Sequence, residues 1–276
     1  MAERSMKPLK KIIFCVAVIS LFFTFSISEA KVVDKKNFYR SLSSRLSRNR
    51  EDYSHLTDYE FANFRMVTTT GIEPGKLYRS SSPVKPLIKR NTIADNASRK
   101  AQVRTFINLS DKYSSLQGYK GFSESYYSTQ KIICLKLNTK YRSKIFQAGV
   151  ARAVNFMANN EPPYLVHCDV GKDRSGIFCA IIESLMGASW DEIERDYMIS
   201  FYNYFGISPG SDEYEFVADN EIRALLPAIL GVKDIRNVNL YAAARRYLLR
   251  IGVRIEDINL LEQKLNNNRK KFLFMR

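Results

Sequence analysis

The sequence predicts an α/β fold: a central, mostly parallel sheet flanked by helices, followed by a helical C-terminal portion. Three observations carry this. Short apolar runs at 103–109, 131–137 and 164–168 have strand length. A helical pattern over 143–159 separates the last two, which makes a β-α-β unit. From Ser189 onward the apolar residues recur at helical spacing, and strand signals stop.

Residues 1–11 carry Arg4, Lys7, Lys10 and Lys11, and 12–27 form an apolar run. Small residues close it at Ser28-Glu29-Ala30, the pattern of a secretory signal cleaved after Ala30. The run is shorter than the ~20 residues a spanning helix needs. The expected destination is therefore the periplasm or the extracellular space. Cleavage would leave 246 of 276 residues. It would remove four basic and two acidic residues, lowering the net charge from +15 to +13.

The basic, Ser-rich stretch 31–50 reads as a flexible arm, and 51–276 as one domain with its helical part at 189–276. Pro74-Gly75 is a turn before a short strand at Leu77–Arg79. Residues 91–102 suit a helix, and the polar stretch 110–130 a long loop able to lie over a site. Ser189 and Glu192 form a capping box that opens a helix running to Gly206. Ser211-Asp212 opens another, expected to stop near Pro227 and Gly231, and two more follow at about 237–250 and 255–266. The Tyr/Phe cluster at 197–205 has core spacing, with a pocket wall as the alternative. The tail 266–276 mixes basic and apolar residues, either as a frayed end or as a contact with an anionic membrane surface.

The chemistry lies in YLVHCDVGKDRSG, residues 164–176. A strand delivers His167-Cys168 into a loop, and the apolar run IFCAIIESLM makes the next segment a helix. A thiol at a helix N-terminus beside a fixed cation is activated as a thiolate. The same N-terminal amides receive phosphate oxygens. Arg174 supplies a planar fork for two of those oxygens, and Gly171 lets the backbone approach the anion. Residues 169–174 (Asp169, Val170, Gly171, Lys172, Asp173, Arg174) are thus the expected phosphate cradle. Ser175 is placed to hydrogen-bond the sulfur as it leaves. His167 suits a loop scaffold, and Asp169 a solvated loop residue or a partner for Lys172.

These residues resemble the bacterial tyrosine/lipid phosphatases of the cysteine-dependent protein tyrosine phosphatase superfamily, whose signature is His-Cys-x-x-Gly-Lys-Asp-Arg-Thr/Ser. PGKLYRSSSP at 74–83, RTFINLSD at 104–111 and IICLKL at 132–137 are similar to the family's other segments. The resemblance implies a protein-tyrosine-phosphatase-like fold and hydrolysis of phosphomonoesters through a phosphocysteine on Cys168. Phosphotyrosine proteins or phosphoinositides would be the substrates. It implies Arg174 as clamp, Asp173 as general acid, and Arg79 as a brace for the loop, against a surface salt bridge. Lys172 goes with polyanionic substrates. The chain departs from the family at Asn108-Leu109-Ser110, where Asp-Leu-Arg is usual, so a second acid–cation pair is missing or displaced to Asp111. Asp111, at a strand end, is the rival acid, because Arg174 beside Asp173 works against a proton there.

Two other readings stand beside this one. The first is a catalytically silent phosphate-binding module, and the second an inositol-polyphosphate phosphatase. A thiol redox protein would need a Cys-x-x-Cys pair, and none exists. The cysteines beyond the signal are Cys134, Cys168 and Cys179, and 134 and 179 have core positions. With only His55 and His167 present, a histidine-based metal site is excluded. No cofactor is expected. The positive charge favours anionic partners, but no nucleic-acid motif accompanies it. The oligomeric state is not encoded in any readable pattern.

Overall fold

The computed structural model describes residues 34–86 and 89–267. The expected signal (1–30) and most of the tail (268–276) lie outside them. The chain divides into two compact units, Met1–Arg40 and Ser41–Arg276.

In the first unit, Asp34 caps helix α1 (Lys35–Arg45), accepting from the Lys36 amide at 3.0 Å. The stretch expected as a flexible arm is therefore helical from Lys35. The capping carboxylate outweighs the composition that suggested an arm. In the second unit, Leu42 is buried and Arg45 pairs with Glu213 at 2.6 Å.

The sheet has five strands: β1 (Arg65–Met66), β2 (Leu77–Ser80), β3 (Thr105–Asn108), β4 (Lys131–Cys134) and β5 (Tyr164–His167). Their order is β1-β2-β5-β3-β4, with β1 antiparallel and the rest parallel. β5 lies at the centre. Ser80, His167 and Asn108 are in register, so three carboxyl ends finish side by side. Crevices at such ends are where α/β sheets bind ligands. β1, only two residues long, had no sequence signal.

Both faces of the sheet are covered, which explains the continuous apolar strands. On one face Tyr78, Phe106 and Leu165 join Ala94 and Ala97 of helix α3 (Asn91–Lys100). The short helices α2 (Asp58–Phe61) and α4 (Tyr113–Leu116) bring Ala62, Phe64 and Leu116 to that cluster's edge. α5 (Lys144–Ala158) follows β4, and α6 (Asp173–Met186) follows β5. Residues 175–186 of α6 are all buried. A helix buried all round belongs in a core, and α6 packs against β2 and β5 as well as against the later helices.

α7 (Trp190–Phe205) opens on the Ser189/Glu192 capping box. The helix expected from Ser211 to near Pro227 and Gly231 is two: α8 (Asp212–Asn220) and α9 (Ile222–Leu230). Glu221, at φ −115° and ψ −100°, breaks the run, and Pro227 sits inside α9 rather than ending it. The break lies one turn and a half before Pro227, so the ring meets a short, freshly started helix. α10 (Leu240–Arg250) and α11 (Ile255–Leu265) complete the chain.

β3, β4 and β5 are each shorter than their apolar runs. β4 stops at Cys134 because Lys136 adopts φ +48° and donates its amide to the Asp111 carbonyl at 3.1 Å. The polar stretch 110–130 is not a plain loop. It contains α4 and a 3-10 turn at Tyr127–Thr129, pinned by buried Leu116 and Tyr127.

Candidate active site

Cys168 leaves β5 at its carboxyl end and is 1% exposed. The loop that follows it is held by its carbonyls. Ser82 N donates to Asp169 O at 3.1 Å. Asn63 Nδ2 and Tyr204 Oη donate to Val170 O at 3.1 and 2.8 Å. Arg79 Nη2 donates to Gly171 O and Lys172 O, both at 3.0 Å. Among the described residues, the amides of Asp169 to Ser175 have no protein acceptor. Acceptors facing outward and donors left free make an anion cradle. Gly171 is required here: at φ +68°, a Cβ would stand 2.1 Å from Ser80 O.

Arg79 is fully buried, so it is no surface ion pair. Its Nη1 also meets Asp196 Oδ2 at 2.6 Å, and Arg65 Nε meets Asp196 Oδ1 at 2.8 Å. Burial opposes the Asp196 charge, but the two guanidiniums hold its carboxyl well below the usual range. Burial pushes the carboxyl of Glu183 beside it well up. Arg90, also fully buried, lies 4.2 Å from the ring centres of Phe61 and Tyr204 and 4.5 Å from Tyr53. That cage fixes the Tyr204 ring, and hence its hold on Val170.

Arg174 turns back across the loop. Its Nη1 donates to Leu137 O at 3.1 Å and its Nη2 to Asp169 Oδ2 at 2.6 Å. The other oxygen of Asp169 takes Lys85 Nζ at 2.6 Å. Asp169 is thus neither solvated nor Lys172's partner. Burial works against its charge, yet Lys85 and Arg174 outweigh that and lower its pKa. Lys172 bonds instead to Asp173 and lies 4.2 Å over the Phe201 ring. The reason is local: Gly171 turns the chain, so residues 169 and 172 point apart.

Asp111 is 5% exposed and saturated with donors: Tyr119 Oη at 2.7 Å, and Asn108 Nδ2 and Ser110 Oγ at 3.1 Å each. Lys85 Nζ lies 3.8 Å away. The second acid–cation pair is therefore Asp111–Lys85. Asn108 organises this corner, since its Oδ1 accepts the Ser110 and Asp111 amides at 2.9 and 3.0 Å. Ser175 Oγ is buried and has no partner, so it makes no bond to the sulfur in this state.

His167 Nε2 meets Tyr127 Oη at 3.1 Å, and its Nδ1 lies 3.4 Å from Cys168 O. Burial pushes its pKa down to about 4, so the ring is neutral at pH 7. The unfolded chain takes up that proton near pH 6.5, whereas the folded chain refuses it until about pH 4. Stability is therefore complete above 6.5 and falls by about 3 kcal/mol as pH drops to 4. His167→Gln should flatten this slope in urea denaturation at pH 7 and 4.5. Parallel slopes for the two proteins would remove His167 as the cause.

Cys134 is raised to about 12 by burial, and Cys179 is also raised by burial. Both are thiols at neutral pH, and all three described cysteines are free. Sequence reasoning missed Asn63, Lys85, Asp196, Tyr204 and Tyr141. Tyr141 is buried near Asp173 and Cys168, and burial together with the Asp173 charge pushes its hydroxyl well up. Lys85 stands two residues beyond the resembling segment 74–83, which was the one signal within reach.

No curated protein matches the chain. Among solved structures it is similar to the core catalytic domain of the PP-IP phosphatase SIW14 from S. cerevisiae in complex with citrate. The two share 16% identity over 61% of this chain and 91% of that one, with a TM-score of 0.36. A second structure, of the Siw14 catalytic core, shares 16% identity over 56% of this chain and 95% of its own, with a TM-score of 0.35. The family model described as the tyrosine phosphatase family matches residues 28–265. That span takes in the whole sheet, the Cys168 loop and the helices behind it, and the chain therefore belongs to the tyrosine phosphatase family as a cysteine-type phosphatase.

Proposed function

We propose that the protein hydrolyses phosphomonoesters, on phosphotyrosine proteins or phosphoinositides, through a phosphocysteine on Cys168. One observation carries this reading: the loop carbonyls are tied outward, and seven consecutive amides from Asp169 to Ser175 are left for phosphate oxygens. Cys168 Sγ attacks phosphorus and the ester oxygen departs. Arg174, already aimed by Leu137 and Asp169, binds two phosphate oxygens and gathers the charge that develops. Water then displaces the sulfur, and Ser175, whose hydroxyl is unengaged, donates to it as it leaves.

Asp173 is the general acid in this scheme. It opens α6, its side chain is 34% exposed, and among the described residues its side chain pairs with Lys172 alone. Asp111 is buried, and both of its oxygens are already engaged by Asn108, Ser110 and Tyr119. Asp173→Asn should slow alkyl phosphates by about 100-fold or more, and p-nitrophenyl phosphate much less. If Asp111→Asn shows that leaving-group split and Asp173→Asn does not, the roles are reversed.

The ring of Tyr141 near Cys168 and Asp173 suits a flat aryl phosphate, and Lys85 and Lys172 suit a substrate with further phosphates. Phosphate release from a phosphotyrosine peptide, a phosphoserine peptide, phosphoinositides and inositol hexakisphosphate separates these. Binding without release from any of them, under reducing conditions, would leave a silent phosphate-binding module. Export through residues 1–30 is part of the same reading. The released protein should begin at Lys31 on N-terminal sequencing.

A further inference from the structure

Residues 131–160 contain six basic residues and no acidic one. Most arginines elsewhere in this fold are tied to carboxylates, as Arg45, Arg65, Arg79 and Arg223 are. By contrast, Lys136, Lys140, Arg142 and Lys144 are exposed, and no carboxylate pairs with them among the described residues. In their midst Ile145 is 64% exposed. On the segment that follows β3, Tyr113 is 59% exposed next to exposed Lys112.

The fold puts both segments at the mouth of the site. The first follows β4 and the second follows β3, at the sheet end that carries Cys168. Lys136 N bonds to Asp111 O at 3.1 Å, which joins the two segments. Leu137 O holds Arg174. Tyr141 packs edge-on against Phe146 at 5.1 Å, and Ser143 Oγ caps α5 through the Phe146 amide at 3.2 Å. Ile145 is thus pinned outward on a firm helix start instead of hanging on a loose loop.

We propose that this rim docks the protein on an anionic phospholipid surface. Tyr113 and Ile145 enter the headgroup region, and the surrounding lysines meet lipid phosphates. The pattern favours a bilayer over a protein partner. Isolated apolar tips among long cations suit a fluid interface, where a tyrosine sits at headgroup level and a basic cluster meets the negative surface potential. The inference rests on exposure and charge, not on the catalytic scheme.

The test uses protein recovered from expression of the full chain. It compares the ratio of its affinities for phosphatidylserine-containing and pure phosphatidylcholine vesicles with that of Lys140→Glu/Lys144→Glu/Ile145→Ser. Any vesicle binding by other segments is common to both proteins. An acidic residue at the first position of α5 suits the helix dipole. The ratio should fall by at least ~25-fold, about fivefold for each cation lost, and wild-type binding should weaken with salt. Release of phosphate from p-nitrophenyl phosphate should be unchanged, which keeps this result separate from any failure of the catalytic reading. If the triple variant does not fold, Lys140→Gln/Lys144→Gln gives the same readout. Equal ratios for wild type and variant, or no preference for phosphatidylserine, would overturn the proposal. So would loss of binding to an acidic peptide with vesicle binding intact.

Discussion

Cys168→Ser is expected to abolish phosphate release, by about 10⁴-fold or more, while inorganic phosphate still binds. Removing a nucleophile from a site whose other groups work with it costs losses of that order. A serine hydroxyl stays protonated where a thiol can ionise, and no histidine stands ready to take its proton, since His167 is engaged with Tyr127. The cradle does not need the sulfur. Its amides are oriented by Asn63, Arg79, Tyr204 and Ser82, which bond to the carbonyls of residues 169–172. Turnover and phosphate affinity should therefore separate. Single-turnover release and phosphate titration on the same variant measure both. Residual turnover within tenfold of wild type would remove Cys168 from its proposed role.

Arg79→Met is the second large effect, and it should appear first as stability. Arg79 satisfies Asp196 and two loop carbonyls at once from a fully buried position. Methionine fills the volume but leaves Asp196 to Arg65, the Gly171 carbonyl without its donor and the Lys172 carbonyl with the Gly176 amide only. Breaking a buried pair from one side costs about 3–5 kcal/mol, a large share of a typical folding free energy of about 5–15 kcal/mol. Arg79→Lys should fold better yet stay slow, because one ammonium cannot replace a fork that reaches three acceptors. Thermal unfolding of both variants, with kcat for the lysine form, tests the idea. A melting temperature for Arg79→Met equal to wild type would show that the loop is held by its other contacts.

What could be read in the sequence was local. The capping box at Ser189/Glu192 works within one helical turn. The strand–loop–helix around Cys168 announces itself in thirteen residues. The parallel sheet followed from strand–helix alternation, and the resemblance pointed to Arg79. What stayed hidden was long-range. Asn63, Lys85 and Tyr204 lie 107, 84 and 34 residues from the loop positions they hold. No pattern in a single sequence links such pairs. One error was of composition: a polar loop hid Leu116 and Tyr127 as anchors. Asn108, noted as a departure, is the residue that builds the Asp111 corner.

The attachment of the Cys168 loop to α7 has a consequence for how such a protein can change. Asp196 anchors Arg79, Tyr204 holds Val170, Ser200 braces Asn63 at 3.1 Å, and Phe201 lies under Lys172. Four residues of one helix, downstream of the signature, therefore decide the shape of the signature. A fragment ending after α6 would keep every residue of the motif and lose the mould that gives it form. Grafting the thirteen-residue segment onto another sheet would fail for the same reason. The motif and the helix behind it must be inherited, exchanged or engineered together.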